Sequence, residues 1–142
     1  MIVEAETAQL ARVLAVQLGS GVPLVSGLGT AIGLVRFAYL RASLAGVADQ
    51  VTQGIGLNRP LAAAGLLPPL LIRLVKVGEE TGQLERMLLH AARVYESKVE
   101  RNLERVIGLI TPILTILIGI GVGSLVLSVM DAVLSINEMV LR

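Results

Sequence analysis

Few residues in this sequence could do chemistry. His90 is the sole histidine, cysteine is absent, and the neighbours Leu88, Leu89, Ala91 and Ala92 offer the imidazole no carboxylate. One histidine without thiolates cannot build a zinc site, and an acid–base histidine needs an orienting partner. There is no Gly-rich phosphate loop ending in Gly-Lys-Ser/Thr and no Gly-x-Ser-x-Gly elbow. The only aspartates are Asp49 and Asp131. Glu79 and Glu80 are adjacent at a helix boundary. There they suit the start of the following helix, whose dipole favours negative charge and which Thr81 can cap; the competing reading is a docking or metal-assisting pair. No catalytic residue, no metal and no cofactor are expected.

The remaining polar constellation is a pair of rows. Glu96, Glu100 and Glu104 recur every four residues, and Lys98, Arg101 and Arg105 run beside them. At that spacing each row shares one side of a helix. The ordinary reading is a solvated face with weak internal pairing; the functional reading is a partner surface, with the basic residues nearest lipid headgroups.

The element that follows these rows organises the chain. Val106–Met130, VIGLITPILTILIGIGVGSLVLSVM, carries no charge. Crossing a hydrocarbon layer takes about 20 apolar residues, and a core helix of a soluble domain would be apolar on one side only. The stretch reads as a transmembrane helix; the rival reading is a buried hairpin in an oligomer. Arg86, Arg93, Lys98, Arg101 and Arg105 precede it, whereas Arg142 is the only basic residue after it, beside Asp131 and Glu138. The positive-inside rule then places the N-terminal region in the cytoplasm and the C-terminus outside. Within the span, Gly119 and Gly123 form a GxxxG pair suited to helix packing, although glycine is also simply common in membrane helices. Pro112 can bend the helix near its entry.

Residues 1–105 are enough for one small domain. They hold eleven Lys and Arg against nine Asp and Glu, and the whole chain is near neutral at +1. Nucleic acid is therefore not an expected partner. Phe37, Tyr39 and Tyr95 are the only aromatics, so stacking platforms are excluded, and the core must be Leu, Val, Ile and Ala. The absence of cysteine fits a reducing compartment. Apolar spacing and punctuation predict helices over about 4–18, 23–39, 41–53, a single turn after Pro60, 69–77, and 83–105 running into the span. Gly27, Gly29 and Gly33 imply close approach by a neighbouring helix. LGSGVPLVSGL and VGEETGQLERML make a weak internal repeat, consistent with two packed helix hairpins. Leu84, Leu88, Ala91, Tyr95, Val99, Leu103 and Val106 form the stripe expected to pack on the bundle. The fold class is all-α: a bundle over 1–105, a membrane helix over 106–130 and a short extracytoplasmic tail over 131–142.

The order Gly21-Val22-Pro23-Leu24, Leu67-Pro68-Pro69-Leu70, Val77-Gly78-Glu79-Glu80-Thr81-Gly82-Gln83-Leu84, then Tyr95 with its charged helix and a glycine-rich span ending in LSIN, resembles the F domain of type II secretion and type IV pilus inner-membrane platform proteins. The resemblance implies a six-helix cytoplasmic bundle leading into a membrane helix of a bacterial inner membrane. It implies a non-enzymatic role, coupling a cytoplasmic assembly ATPase to polymerisation of a pilin-like or pseudopilin fibre. The implied partners are that ATPase, the fibre subunits, other inner-membrane components and lipid, with homo-oligomerisation open. The family usually carries two such domains and about three spans; this chain resembles the C-terminal copy. Thr111 stands where many members have a glutamate and Ala132 where many have a proline, so roles tied to those residues do not transfer. The alternatives are a generic oligomeric membrane scaffold, an inactive fragment of a platform protein, and a membrane-tethered enzyme. The surfaces expected to meet partners are Glu79 and Glu80, and the rows from Glu96 to Arg105.

Overall fold

In the computed structural model, which describes residues 1–141, the chain is helical throughout: α1 (Ile2–Gly19), α2 (Leu24–Gly33), α3 (Ala38–Thr52), α4 (Asn58–Ala64), α5 (Pro69–Thr81) and α6 (Leu84–Val140). Met1–Arg101 forms one compact unit, and the chain from Asn102 onward forms a second. Arg142 lies outside the described residues.

The first unit is a bundle in which consecutive helices from α1 to α5 pack on one another. Its core is aliphatic, as the composition requires. Leu10, Leu14, Leu28, Leu40, Leu44, Leu57, Leu71, Val75, Leu88 and Tyr95 are all buried. Alanines 8, 11, 15, 31, 91 and 92 are buried with them, which lets helix axes approach closely where larger side chains would hold them apart. Tyr95 is the largest wholly buried side chain.

Punctuation sets most of the boundaries. Pro23 and Pro68 sit at the N-caps of α2 and α5, where a missing N–H costs no intrahelical bond. Gly21 and Gly82 follow α1 and α5 with φ of +82° and +68°, a backbone that residues with a Cβ rarely adopt. The two halves of the internal repeat thus share one turn chemistry. The second turn also brings two helix backbones close together. A methyl group placed on Gly78 would lie 2.8 Å from the Leu84 Cα, so α6 begins directly against the α5 backbone.

Several expectations are corrected. The second helix stops at Gly33, not Tyr39, and α3 starts at Ala38. The connector is held by one distant and one local contact: the Arg36 N–H donates to the Glu6 carboxylate, 30 residues away (3.3 Å), and the Arg41 guanidinium donates to the nearby Val35 carbonyl (2.5 and 3.1 Å). Gly27 does meet a neighbour, with a methyl there falling 3.2 Å from the Gln17 Cβ, but Gly29 and Gly33 face open space. The fourth helix opens at Asn58, before Pro60, and α5 runs to Thr81 rather than Val77. The packing stripe of α6 ends early: Leu88, Ala91 and Tyr95 are buried and Val99 half-buried, but Leu103 and Val106 are exposed.

The second unit is a single helical stretch. From Leu103 to Leu141 every residue is exposed. It contains the one helix among the described residues long and apolar enough to cross a membrane. Pro112 lies within the helix and does not end it. The helix extends through the expected tail as far as Val140.

Candidate interaction surface

Each candidate residue is positioned by a different local device. Glu79 lies in the last turn of α5, and its carboxylate accepts the Leu57 N–H, the Asn58 N–H (3.3 Å) and the Asn58 side-chain amide. It caps α4, the preceding helix in the chain, and not α6. The absent Cβ of Gly56 makes room: a methyl there would sit 3.2 Å from a Glu79 carboxylate oxygen. Thr81 likewise does not cap α6, because its hydroxyl donates back to the Val77 carbonyl at 2.7 Å. Glu80 points to solvent and meets Lys76 at 4.0 Å, with both side chains more than 60% exposed; such a pair contributes almost nothing to stability. At the start of α6 the acidic residue in the first turn is Glu85, and a methyl on Gly19 would fall 2.6 Å from its carboxylate oxygen. The end of α1 therefore lies against the start of α6.

The acidic row is not uniform. Glu96 holds Arg12 of α1 in a two-pronged ion pair, with contacts of 2.9 and 2.5 Å. The Glu96 carboxylate pushes the Arg12 guanidinium still further above its already high range, through their hydrogen bond and their opposite charges. Arg12 is therefore charged at any pH the protein meets. Both side chains are 39% exposed, so water screens the pair and its contribution is about 1 kcal/mol or less. Its geometric effect is to pin α1 to α6. Glu100 and Arg101 are exposed, as are Glu104 and Arg105 in the second unit. Lys98 is half-buried, with its ammonium 5.1 Å from the centre of the Tyr95 ring, a cation–π contact. Burial pushes the Tyr95 hydroxyl above its ordinary range, against a smaller opposing effect of the Leu71 backbone. The phenol is neutral wherever the bundle is folded near neutrality.

Between α1 and α6 the first unit carries an open groove of about 410 Å³. Ala5, Ala8 and Val99 form its apolar lining, and Gln9, Arg12, Glu96 and Glu100 its polar margin. The groove brings Glu96 and Glu100 together with Arg12 and Gln9, which the helical spacing of α6 does not reveal. Glu79 and Glu80 take no part in it. The groove thus presents an apolar floor with a guanidinium, two carboxylates and an amide at its rim. Among the described residues no three His, Cys, Asp or Glu side chains come together as a metal site. Gly119 and Gly123 are exposed, with nothing within 4 Å of a methyl placed on either, so that face of the second unit is free for close approach.

A small aliphatic helix bundle, followed by one helix long and apolar enough to cross a membrane, defines an all-α class of protein with a candidate membrane span. The family is shown directly. Residues 10–131 match the model of the family described as "Type II secretion system (T2SS), protein F", and the chain belongs to that family. It is similar to the type II secretion system protein F of Pseudomonas aeruginosa, with 33% identity over 135 residues, covering 95% of this chain and 33% of the relative. It is similar to the type 4 fimbrial assembly protein PilC of Pseudomonas putida, with 33% identity over 137 residues, 96% of this chain and 34% of the relative. With the type IV pilus assembly protein PilC of Thermus thermophilus it shares 32% identity over 120 residues, 84% of this chain and 30% of the relative. The chain spans about a third of the length of the curated relatives it matches.

Proposed function

We propose that this chain acts as a non-enzymatic platform component of a type II secretion or type IV pilus machine in a bacterial inner membrane. In this reading it couples a cytoplasmic assembly ATPase to polymerisation of pilin-like subunits. The observation that carries the reading is the family match across residues 10–131, which takes in the bundle and the apolar helix together. The residue inventory agrees, since the groove offers binding groups and no paired nucleophile and base. The bundle lies on the cytoplasmic side and the C-terminal end outside, supported by the basic residues that precede Val106 and their absence between there and Leu141.

The partner surface is the α1–α6 groove with the exposed carboxylates and guanidiniums beside it, Glu100, Arg101, Glu104 and Arg105. Glu79 is assigned to holding α4, and Glu80 remains an exposed candidate at the α5 end. Recovering the tagged chain from its native membranes in mild detergent, with bound proteins identified by mass spectrometry, tests the function. An assembly ATPase and pilin-like subunits are expected among them. The chain alone, or only with itself, from cells running such a machine would replace this reading with that of a generic scaffold.

A further inference from the structure

The helices of the first unit alternate in direction, so its two ends collect different residues. The Arg36 N–H meets Glu6 and the Gly27 backbone meets Gln17, so α2 runs antiparallel to α1. Glu96 meets Arg12 and Glu85 meets Gly19, so α6 also runs antiparallel to α1. Gly78 meets Leu84, and the Tyr95 hydroxyl meets the Leu71 backbone, so α5 runs antiparallel to α6. The connector between α2 and α3 therefore lies at the end of the unit where α6 reaches Arg101. The loop before α4, held by Glu79, lies at the opposite end. Arg101 is five residues before the uncharged stretch that starts at Val106. Five residues reach at most about 18 Å, so Arg101 stays within that distance of Val106 whatever the arrangement of the two units.

The two ends differ in charge. At the Arg101 end the basic side chains are Arg36, Arg41, Lys98 and Arg101, and among the described residues none of them is in an ion pair. Arg41 donates to the Val35 carbonyl from two of its nitrogens, which fixes the guanidinium in place and leaves the third nitrogen facing outward contacts. Of the carboxylates at this end, Glu6 is buried against the Arg36 N–H and Glu4 is half-buried, so Glu100 alone is exposed. At the opposite end exposed acids match exposed bases: Asp49, Glu80 and Glu85 stand against Arg59, Lys76 and Arg86. The exposed aromatic surface is also at the Arg101 end. Phe37 and Tyr39 form a tilted ring pair 6.0 Å apart, with Tyr39 56% and the neighbouring Leu34 47% exposed.

We propose that the α2–α3 connector, through Arg36, Tyr39 and Arg41, rests on anionic phospholipid headgroups of the membrane that α6 enters, with Arg101 beside it. Guanidiniums take phosphate oxygens in paired hydrogen bonds. A tyrosine with an apolar ring and a polar tip settles where the hydrocarbon meets water. The cytoplasmic face of a membrane is negatively charged, so the basic end of the bundle meets a surface of opposite sign. The proposal rests on the reading of Val106–Met130 as a span, and holds whichever machine the chain serves. A contact so far from the span in sequence gives the bundle a second hold on the membrane, and limits how far it turns about the helix that leaves it.

The chain has no tryptophan, so Tyr39→Trp, Ile55→Trp and Leu117→Trp each place a single reporter at an exposed site of the full chain. The purified protein is put into bilayer discs of brominated phosphatidylcholine, with or without phosphatidylglycerol, where bromine quenches tryptophan fluorescence on lipid contact. In the anionic discs the reporter at position 39 is expected to be quenched, and the one at position 55, at the opposite end, is not. Arg36→Gln leaves the backbone bond to Glu6 in place and is expected to lower the ratio of docked to undocked chain about fivefold, the effect of one basic residue at an anionic surface. Arg36→Lys is expected to keep the ratio, and added salt to lower it. With position 117 quenched, the headgroup contact is overturned by equal quenching at 39 and 55, by none at 39, or by quenching at 39 as strong without phosphatidylglycerol. Position 39 unquenched in discs yet shielded from iodide in native membranes would assign the surface to a protein partner instead. An unquenched position 117 overturns the span and the contact together.

Discussion

Two stretches of α6 meet different fates: Leu84–Arg101 mixes charged with apolar residues, whereas Val106–Met130 carries no charge. From Leu84 to Arg101 the apolar side chains keep to one side: Leu88, Ala91, Ala92 and Tyr95 are buried, while Arg86, His90, Arg93 and Arg101 are exposed. From Val106 to Met130 the apolar side chains go all round, and none is covered. The first stretch is helical because one face docks on a bundle; helices in water depend on such packing more than on propensity. The second depends on no neighbour, since a helix satisfies its own backbone hydrogen bonds and its side chains suit lipid. Charge content and patterning together separate the stretch that docks one face on the bundle from the uncharged stretch long and apolar enough to cross a membrane.

The contrast breaks if truncating a side chain costs the same in both stretches. Tyr95→Ala is expected to destabilise the first unit by about 3–5 kcal/mol, in the range of large aromatic truncations. Leu117→Ala, in the uncovered stretch, is expected to leave its unfolding midpoint unchanged. Denaturant titration of the full chain in detergent, followed by far-ultraviolet circular dichroism, reads both. A smaller effect sharpens where docking begins. Gly78→Ala drives a methyl into the Leu84 backbone and is expected to cost about 1–3 kcal/mol; an unchanged midpoint would mean that α6 is not held against α5. The smallest effect belongs to the ion pair. A double-mutant cycle with Arg12→Ala and Glu96→Ala is expected to give a coupling energy of about 0.2–1 kcal/mol, falling as salt is added. A coupling above 2 kcal/mol would show that the pair is a main support of the α1–α6 contact and not a screened link beside the groove.

The sequence by itself determined the elements. An uncharged run longer than a bilayer's hydrocarbon layer is thick, prolines and glycines at turn positions, and leucines at three–four spacing are local facts, and local physics acts on them directly. The all-α class, the apolar helix and the family were legible for that reason, as was the buried side of α6 from Leu88 to Tyr95. Tertiary structure decided which polar groups have partners. Glu79 reads as a cap for the helix that follows it, yet it caps α4, because the fold brings Leu57 and Asn58 to its carboxylate. Glu96 reads as one of three equivalent acids, yet it is the one paired with Arg12, 84 residues away. The groove beside that pair depends on α1 and α6 lying side by side, which no periodicity within either helix encodes. A charged side chain is satisfied by whatever lies within about 3 Å, and in a bundle whose apolar faces fix the packing, that neighbour follows from the assembled helices rather than from the residue's own stretch of chain.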